Sequence, residues 1–379
     1  MSVRDEASGR ERASRRAETV LAHIGTSSDP GTGALTTPIY LSTAYAHPGL
    51  GASTGYDYTR TANPTRDVLQ SALAQIEGGT AGFATSSGMA AAELVVSLAA
   101  PGSRIVAAED IYGGTFRYFD ELARTGVYDV DFAMGEQGLC DALAKPADLV
   151  FIETPTNPMM VEIDIERIVD LGHRAGAVVA VDNTFYTPIF QRPLESGADV
   201  VLHSATKYLG GHNDVLAGAV IVSREDLAEK LAVRLNMTGA TLSPFDSWLL
   251  MRGMKTLALR MERHQDNARK VAAALEESSL IDRVLYTGRG GMLSFVPNES
   301  VDMPKVLESV RIFTFAESLG GVESLITCPA VQTHADVPRE RRMGYGLTDD
   351  LLRLSVGLEH WRDLVDDLLG ALEVSIRRR

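Results

Sequence analysis

The sequence predicts an α/β protein with a mostly parallel central sheet, helices on both faces, and a smaller C-terminal α/β region. Three observations carry this. The runs ADLVFI, GAVVAV and ADVVLH have the length and β-branched content of fully buried strands. Helical stretches alternate with them, and βαβ alternation makes neighbouring strands parallel. After about Phe245 this pattern gives way to a long helical stretch, TLALRMERHQDNARKVAAALEE, and a mixed region ending in EHWRDLVDDLLGALEV. With ~100–200 residues expected per domain, a chain of 379 residues has material for two domains. The expected division is 1–57, 58–244 and 245–379, with a boundary near Pro244.

In chain order, MSVRDEASGRERASRR mixes five Arg with Asp5, Glu6 and Glu11. It lacks the apolar segment of a secretory signal and the acid-poor composition of a transit peptide, so a solvated arm is expected. NPTRDVLQSALAQIEGG predicts a helix with Pro64 in its first turn, Val68, Leu69, Ala72, Leu73 and Ile76 on one face, and a stop at Gly78-Gly79. A short strand around Gly82–Thr85 follows, then a helix, GMAAAELVVSLAA, closed by Pro101-Gly102. DIERIVDLGHRAG predicts a helix capped by Asp164 with Ile165, Ile168, Val169 and Gly172 facing inward.

Composition narrows the function classes. A net charge of −14, with no basic cluster beyond the arm, argues against a nucleic-acid partner. No window approaches the 18 or more consecutive apolar residues of a membrane helix, so no membrane role is expected. The two cysteines, Cys140 and Cys328, have no ligand-spaced neighbours. That predicts no metal site and no disulfide framework, in a reducing cytoplasm. A nicotinamide dehydrogenase would need G-x-G-x-x-G after an early strand; GTGALT follows no strand and lacks the third glycine.

What ends each buried strand is more informative. ADLVFI runs into Glu153-Thr-Pro-Thr-Asn157, GAVVAV into Asp182-Asn183, and ADVVLH into Ser204-Ala-Thr206-Lys207. Singly, an Asp after a strand is a turn residue and a Lys a solvated one. Together, at strand ends where α/β sheets bind ligands, they match the needs of a pyridoxal-phosphate site. A lysine forms the Schiff base, a carboxylate holds the pyridine nitrogen protonated, and hydroxyls with helix-terminal amides bind phosphate. TSSGMAAAE supplies such a helix start, and Gly88 lets an anion approach its backbone.

With these residues in view, the chain resembles the Cys/Met-metabolism group of fold-type I pyridoxal-phosphate enzymes. The likeness rests on YDYTRTANPT, SSGMAA, DIYGGT, ETPTNP, VDNTF, HSATKYLGGHND, ESLGGVESL and LLRLSVGLE, in that order from about Thr36 to the last helix. The resemblance implies that Lys207 bonds the cofactor, that Asp182 pairs with the pyridine nitrogen, and that Ser204, Thr206 and the amides of Gly88 and Met89 hold the phosphate. Tyr58 and Arg60 look like the pair that reaches the phosphate of a neighbouring subunit, which implies a homotetramer built as a dimer of active dimers and makes 1–57 an arm and intersubunit segment. Tyr112 resembles the tyrosine that stacks on the cofactor ring and exchanges protons near the leaving group. Asn157 resembles the residue beside the cofactor's phenolic oxygen, with Glu153 as its support. Arg353 looks like the clamp for the substrate α-carboxylate, helped by Ser318.

The same likeness implies chemistry at Cγ of small sulfur amino acids or O-acylhomoserines: cystathionine γ-lyase, cystathionine γ-synthase, or both. Glu317 resembles the acid that meets the distal ammonium of cystathionine. Gly114 stands where methionine γ-lyases usually carry a cysteine. Methionine γ-lyase and O-acetylhomoserine thiolyase are the alternatives.

Overall fold

The computed structural model describes residues 15–377, so the expected arm, apart from Arg15 and Arg16, lies outside the described residues. The central sheet contains β1 (Ala81–Thr85), β2 (Arg104–Ala108), β3 (Asp129–Ala133), β4 (Leu149–Glu153), β5 (Val178–Asp182), β6 (Val200–His203) and β7 (Gly218–Val222). Their order is β1-β7-β6-β5-β4-β2-β3. β7 runs antiparallel to both of its neighbours, and the remaining pairs are parallel. This one reversal matters. Parallel strands need a crossover down the sheet, whereas residues 204–217, between β6 and the antiparallel β7, turn back at the carboxyl end of β6. Lys207 is in that segment.

The sheet is covered on both faces, and the two-residue period of its strands divides their side chains between two cores. Phe83, Val220 and Val222 join one core with Val95 and Phe119. Ala84, Ala219 and Ile221 join the other with Leu69, Leu73 and Met254. The helix Pro64–Glu77 starts as expected: the Asn63 side chain accepts from the amides of Thr65 and Arg66, and Gly78 ends it at φ +76°. Val68 is only half-buried, while Leu69, Ala72, Leu73 and Ile76 are buried.

The helix Gly88–Val96 is shorter than expected. Ser97 donates its hydroxyl to Leu94 O, and Leu98 and Ala99 bond back three residues to Val95 and Val96, so the last apolar residues form a tight turn. Its apolar spacing resembles that of a helix, which is why the sequence overran the end. Ile165–Arg174 is capped by Asp164, which accepts from Arg167 N, with Ile165, Ile168, Val169 and Gly172 buried.

A second sheet contains β8 (Ile281–Leu285), β9 (Met292–Pro297), β10 (Thr314–Phe315), β11 (Leu325–Thr327) and β12 (Leu352–Ser355), in the order β10-β11-β12-β9-β8. Helices Leu257–Glu276 and Trp361–Val374 bury Val271, Leu275, Leu364 and Leu368 with Leu293, Phe295 and Leu354 of this sheet. Among the described residues no helix is long and apolar enough to cross a membrane, and no three His, Cys, Asp or Glu side chains group as metal ligands.

Candidate active site

The carboxyl ends of β4, β5 and β6 open on a cavity of about 270 Å³. Glu153 of β4 lies in register with Asp182 of β5, and Asp182 with Leu202 of β6. Residues in register on parallel strands share a face, and all three line the cavity. Asp182 Oδ1 accepts from Thr184 N at 3.0 Å and from Thr184 Oγ1 at 2.5 Å. Thr184 Oγ1 in turn accepts from Ser204 N at 2.9 Å, so one threonine joins the end of β5 to the segment that carries Lys207. Burial pushes the Asp182 carboxyl up, and the two Thr184 bonds oppose it. A protonated ring nitrogen beside this carboxylate would stabilise its charged form.

Lys207 Nζ donates to Ser318 Oγ at 2.8 Å. Burial, then the nearby Arg353 guanidinium, depress the ammonium to about 8. Ser318 lies in the loop between β10 and β11 at φ +100°, backbone that L residues rarely adopt. Gly320 allows this loop to lie against the lysine segment, because a Cβ there would meet Tyr208 N at 2.6 Å. Arg353, on β12, is fully buried. It donates through Nη1 to Asn157 Oδ1 at 2.8 Å and through Nη2 to Ser318 O at 2.9 Å. Its Nε is buried with no hydrogen-bond partner, and burial lowers the guanidinium to about 10. A buried cation with an unused donor beside a cavity is suited to a carboxylate.

Across the cavity, Tyr112 precedes the helix Gly113–Arg124, and its amide donates to Glu153 Oε2 at 2.8 Å. Glu153 therefore supports Tyr112, where the sequence reading had it support Asn157. The partner of Asn157 is Arg353, from the other sheet. The Tyr112 ring lies so close to Gly114 that a Cβ there would come 2.5 Å from Tyr112 Cε1.

At the other end, Ser87 caps the helix Gly88–Val96 by accepting from Ala90 N. The Gly88 and Met89 amides have no acceptor within the helix, and both residues line the cavity with Ser87 and Ser204. Gly88 is required by contact: a Cβ would fall 2.8 Å from Ser204 Cβ. Thr206 is more committed than expected. Its hydroxyl donates to Ala217 O at 3.1 Å and accepts from Ala217 N at 3.0 Å, so its proton is already engaged. Free amides, a serine hydroxyl, a carboxylate and a lysine at these three stations form a donor set that fits a phosphorylated pyridine aldehyde.

Glu317 and Ser318 line the cavity as well, with Glu317 exposed to solvent. Tyr58 and Arg60 do not line it. Tyr58 is 48% exposed, Arg60 stacks over its ring at 5.6 Å, and Arg60 Nε donates to Asn236 Oδ1 at 3.3 Å. Sequence reasoning passed over Thr184 and Thr333, which also line the cavity. Thr184 had a signal: a threonine two residues after Asp182 is placed for an Asx turn.

The family model described as Cys/Met metabolism PLP-dependent enzyme matches residues 18–373. A cystathionine gamma-synthase/O-acetylhomoserine (thiol)-lyase of Bacillus subtilis is 52% identical over 361 residues, which cover 95% of this chain and 97% of the relative. A cystathionine gamma-lyase of Bacillus subtilis is 45% identical over 375 residues, covering 94% and 99%. The crystal structure of cystathionine gamma synthase from Xanthomonas oryzae pv. oryzae in complex with cystathionine superposes with a TM-score of 0.93 at 41% identity, over 95% of this chain and 98% of that one.

Proposed function

The chain belongs to the Cys/Met metabolism PLP-dependent enzymes, and from that premise we propose that it acts at the γ-carbon of sulfur amino acids. It works as a cystathionine γ-synthase, joining an O-acylhomoserine to cysteine, as a cystathionine γ-lyase, or as both. The observation that carries this reading is the meeting, in one cavity, of Lys207, Asp182, Tyr112, Arg353 and Glu317. Relatives named for γ-synthase and for γ-lyase activity agree with it.

Pyridoxal phosphate supplies an electron sink that makes the Cα and Cβ protons of a bound amino acid acidic. Asp182 holds the ring nitrogen, and Gly88, Met89 and Ser204 bind the phosphate. Arg353 takes the substrate α-carboxylate with its unused Nε donor, and Asn157 orients the guanidinium. Lys207 Nζ removes the Cα proton. An ammonium lowered to about 8 leaves part of the population as free amine at neutral pH. Ser318 Oγ steers that nitrogen. Tyr112 stacks over the site and hands a proton toward the group that leaves Cγ. Glu317, at the mouth, meets the distal ammonium of cystathionine.

Tyr58 and Arg60 serve the site of a second copy in a homotetramer. Their exposure, and the fact that neither lines this chain's own cavity, support that assignment. The enzyme is cytoplasmic. A relative named for both γ-synthase and thiol-lyase activity favours, as a second reading, O-acetylhomoserine thiolysis.

One product assay tests the proposal. The enzyme is incubated with cystathionine alone, and separately with O-acetyl- or O-succinylhomoserine plus cysteine, and 2-oxobutyrate is compared with cystathionine formed. Turnover of methionine as the preferred sole substrate would refute cystathionine chemistry; product from O-acetylhomoserine with sulfide but not cysteine would establish the second reading.

A further inference from the structure

Glu153 is a buried carboxyl in the cavity wall to which the mechanism above gives no step. It ends β4, is 5% exposed, and lies in register with Asp182. Three further ionisable groups lie near it: Asp182 from β5, Asp110 from the turn after β2, and Arg353 from β12. Lys207 lines the same cavity. Among the described residues no Lys, Arg or His forms an ion pair with Glu153. Its hydrogen bond is the one to Tyr112 N, through Oε2 at 2.8 Å.

We propose that Glu153 is a positioning residue that holds Tyr112 over the cavity, and that it does so as an uncharged acid. Two carboxyls at adjacent strand ends cannot both ionise cheaply when buried. The donors decide which keeps its proton. Asp182 receives two hydrogen bonds from Thr184, both favouring its anion, whereas Glu153 receives one from a backbone amide. Burial, with Asp182 next, holds the Glu153 carboxyl well above the usual range, against the opposing Tyr112 amide bond and the Arg353 charge. Asp110 adds to the crowding; its Oδ1 is buried without a partner and burial raises it to about 7.

The uncharged acid does two things at once. Oε2 fixes the amide that precedes the helix Gly113–Arg124, and this sets where the Tyr112 ring projects. The remaining O–H is free to donate toward the cavity that Glu153 lines. Both functions are reproduced by glutamine, which offers one carbonyl acceptor, one amide donor and no charge. Neither is reproduced by leucine.

This inference rests on the reading of Tyr112 given above, and the experiment separates the two. Full-length Glu153→Gln, Glu153→Leu and Tyr112→Phe are compared with the parent protein, with and without pyridoxal phosphate. Hydrogen exchange of the peptide containing Tyr112 is measured without cofactor. The Gln variant should keep the parent's protection, and the Leu variant should exchange about fivefold faster, the loss of one hydrogen bond. With cofactor, Glu153→Gln should keep the parent's kcat, KM and pH profile. Glu153→Leu should lose about ten- to a hundredfold in kcat from a misplaced ring.

A shifted pH profile in Glu153→Gln, or a loss as large as that of leucine, would show that the charge matters and overturn the proposal. Unchanged exchange and kcat in Glu153→Leu would overturn it from the other side. Should the leucine variant fail to fold, the glutamine variant still decides. A fully active Tyr112→Phe defeats the reading of the tyrosine hydroxyl and leaves the exchange result standing.

Discussion

Replacing Gly88 by alanine tests whether the start of the helix Gly88–Val96 holds the cofactor phosphate. Gly88 has no unusual φ, and alanine is the better helix former by about 0.5–1 kcal/mol, so backbone propensity alone predicts stabilisation. Contact predicts the opposite. The new Cβ would meet Ser204 Cβ at 2.8 Å, Ser204 Oγ at 2.9 Å and Ser204 Cα at 3.1 Å. The first of these is about 0.6 Å short of ordinary contact. Ser204 cannot swing aside, because two of the three atoms are its Cα and Cβ and its amide is tied to Thr184.

Overpacking of this kind costs about 1–3 kcal/mol, which exceeds the propensity gain, and the helix start must move away from Ser204. The displaced amides are those of Gly88 and Met89. Losing one charge-assisted hydrogen bond to phosphate, at about 1.5–3 kcal/mol, weakens cofactor binding about ten- to a hundredfold. The assay is a fluorescence titration of cofactor-free enzyme with pyridoxal phosphate, beside a thermal melt without cofactor. A lower Tm with unchanged cofactor Kd would refute the phosphate assignment and leave the contact argument intact. Unchanged values in both would refute the contact argument too.

Three further outcomes are expected. Lys207 is held near 8 in the folded protein against an ordinary 10.5, so between those values the unfolded chain binds the extra proton and stability rises with pH. Cofactor-free Lys207→Met should therefore be more stable than the parent at pH 7 by up to about 3 kcal/mol, with the gap closing toward pH 10. Urea unfolding at the two pH values checks this, and a pH-independent gap contradicts it. Gly114→Ala should push the half-exposed Tyr112 ring aside with stability changed by less than about 0.5 kcal/mol. Its kcat/KM should fall about tenfold or more while cofactor Kd holds; steady-state kinetics beside a cofactor titration decide. Glu317→Gln should raise KM for cystathionine by up to about fivefold, the worth of an exposed ion pair. It should leave KM for O-acetylhomoserine unchanged, because that substrate has no distal ammonium; equal effects on both would remove Glu317 from recognition of that group.

The parts of the site that could be read from the sequence are those set by one strand and its end. Asp182, Ser204 and Lys207 follow apolar runs whose burial is written in their composition, and a parallel sheet brings such ends together. The partners were not legible in the same way. Glu153 supports the amide of Tyr112 across 41 positions, and nothing in ETPTNP distinguishes that bond from one to its neighbour Asn157. Thr206 shows a different limit. Its type fits a phosphate contact, but the β6–β7 reversal brings Ala217 back against it and engages both its donor and its acceptor. The end of the helix Gly88–Val96 was missed because a tight turn and a helix share apolar spacing.

Arg353 shows why a site of this kind needs two sheets. Alone in LLRLSVG it is a charge between leucines, and burying it without partners would cost several kcal/mol. The fold places it where Asn157 arrives from β4's end and the Ser318 carbonyl arrives from the loop before β11. The same Ser318 accepts from Lys207 through its hydroxyl. One residue at φ +100° thus bonds the guanidinium with its backbone and the lysine with its side chain, and the two cations are held apart by a shared acceptor. Burial and then the Arg353 charge lower the Lys207 ammonium, whereas the Arg353 guanidinium is lowered by its burial. A carboxylate beside the unused Arg353 Nε would offset the cost of burying that charge. Only the assembled pair of sheets brings the guanidinium, Asn157 and the Ser318 carbonyl together in this way.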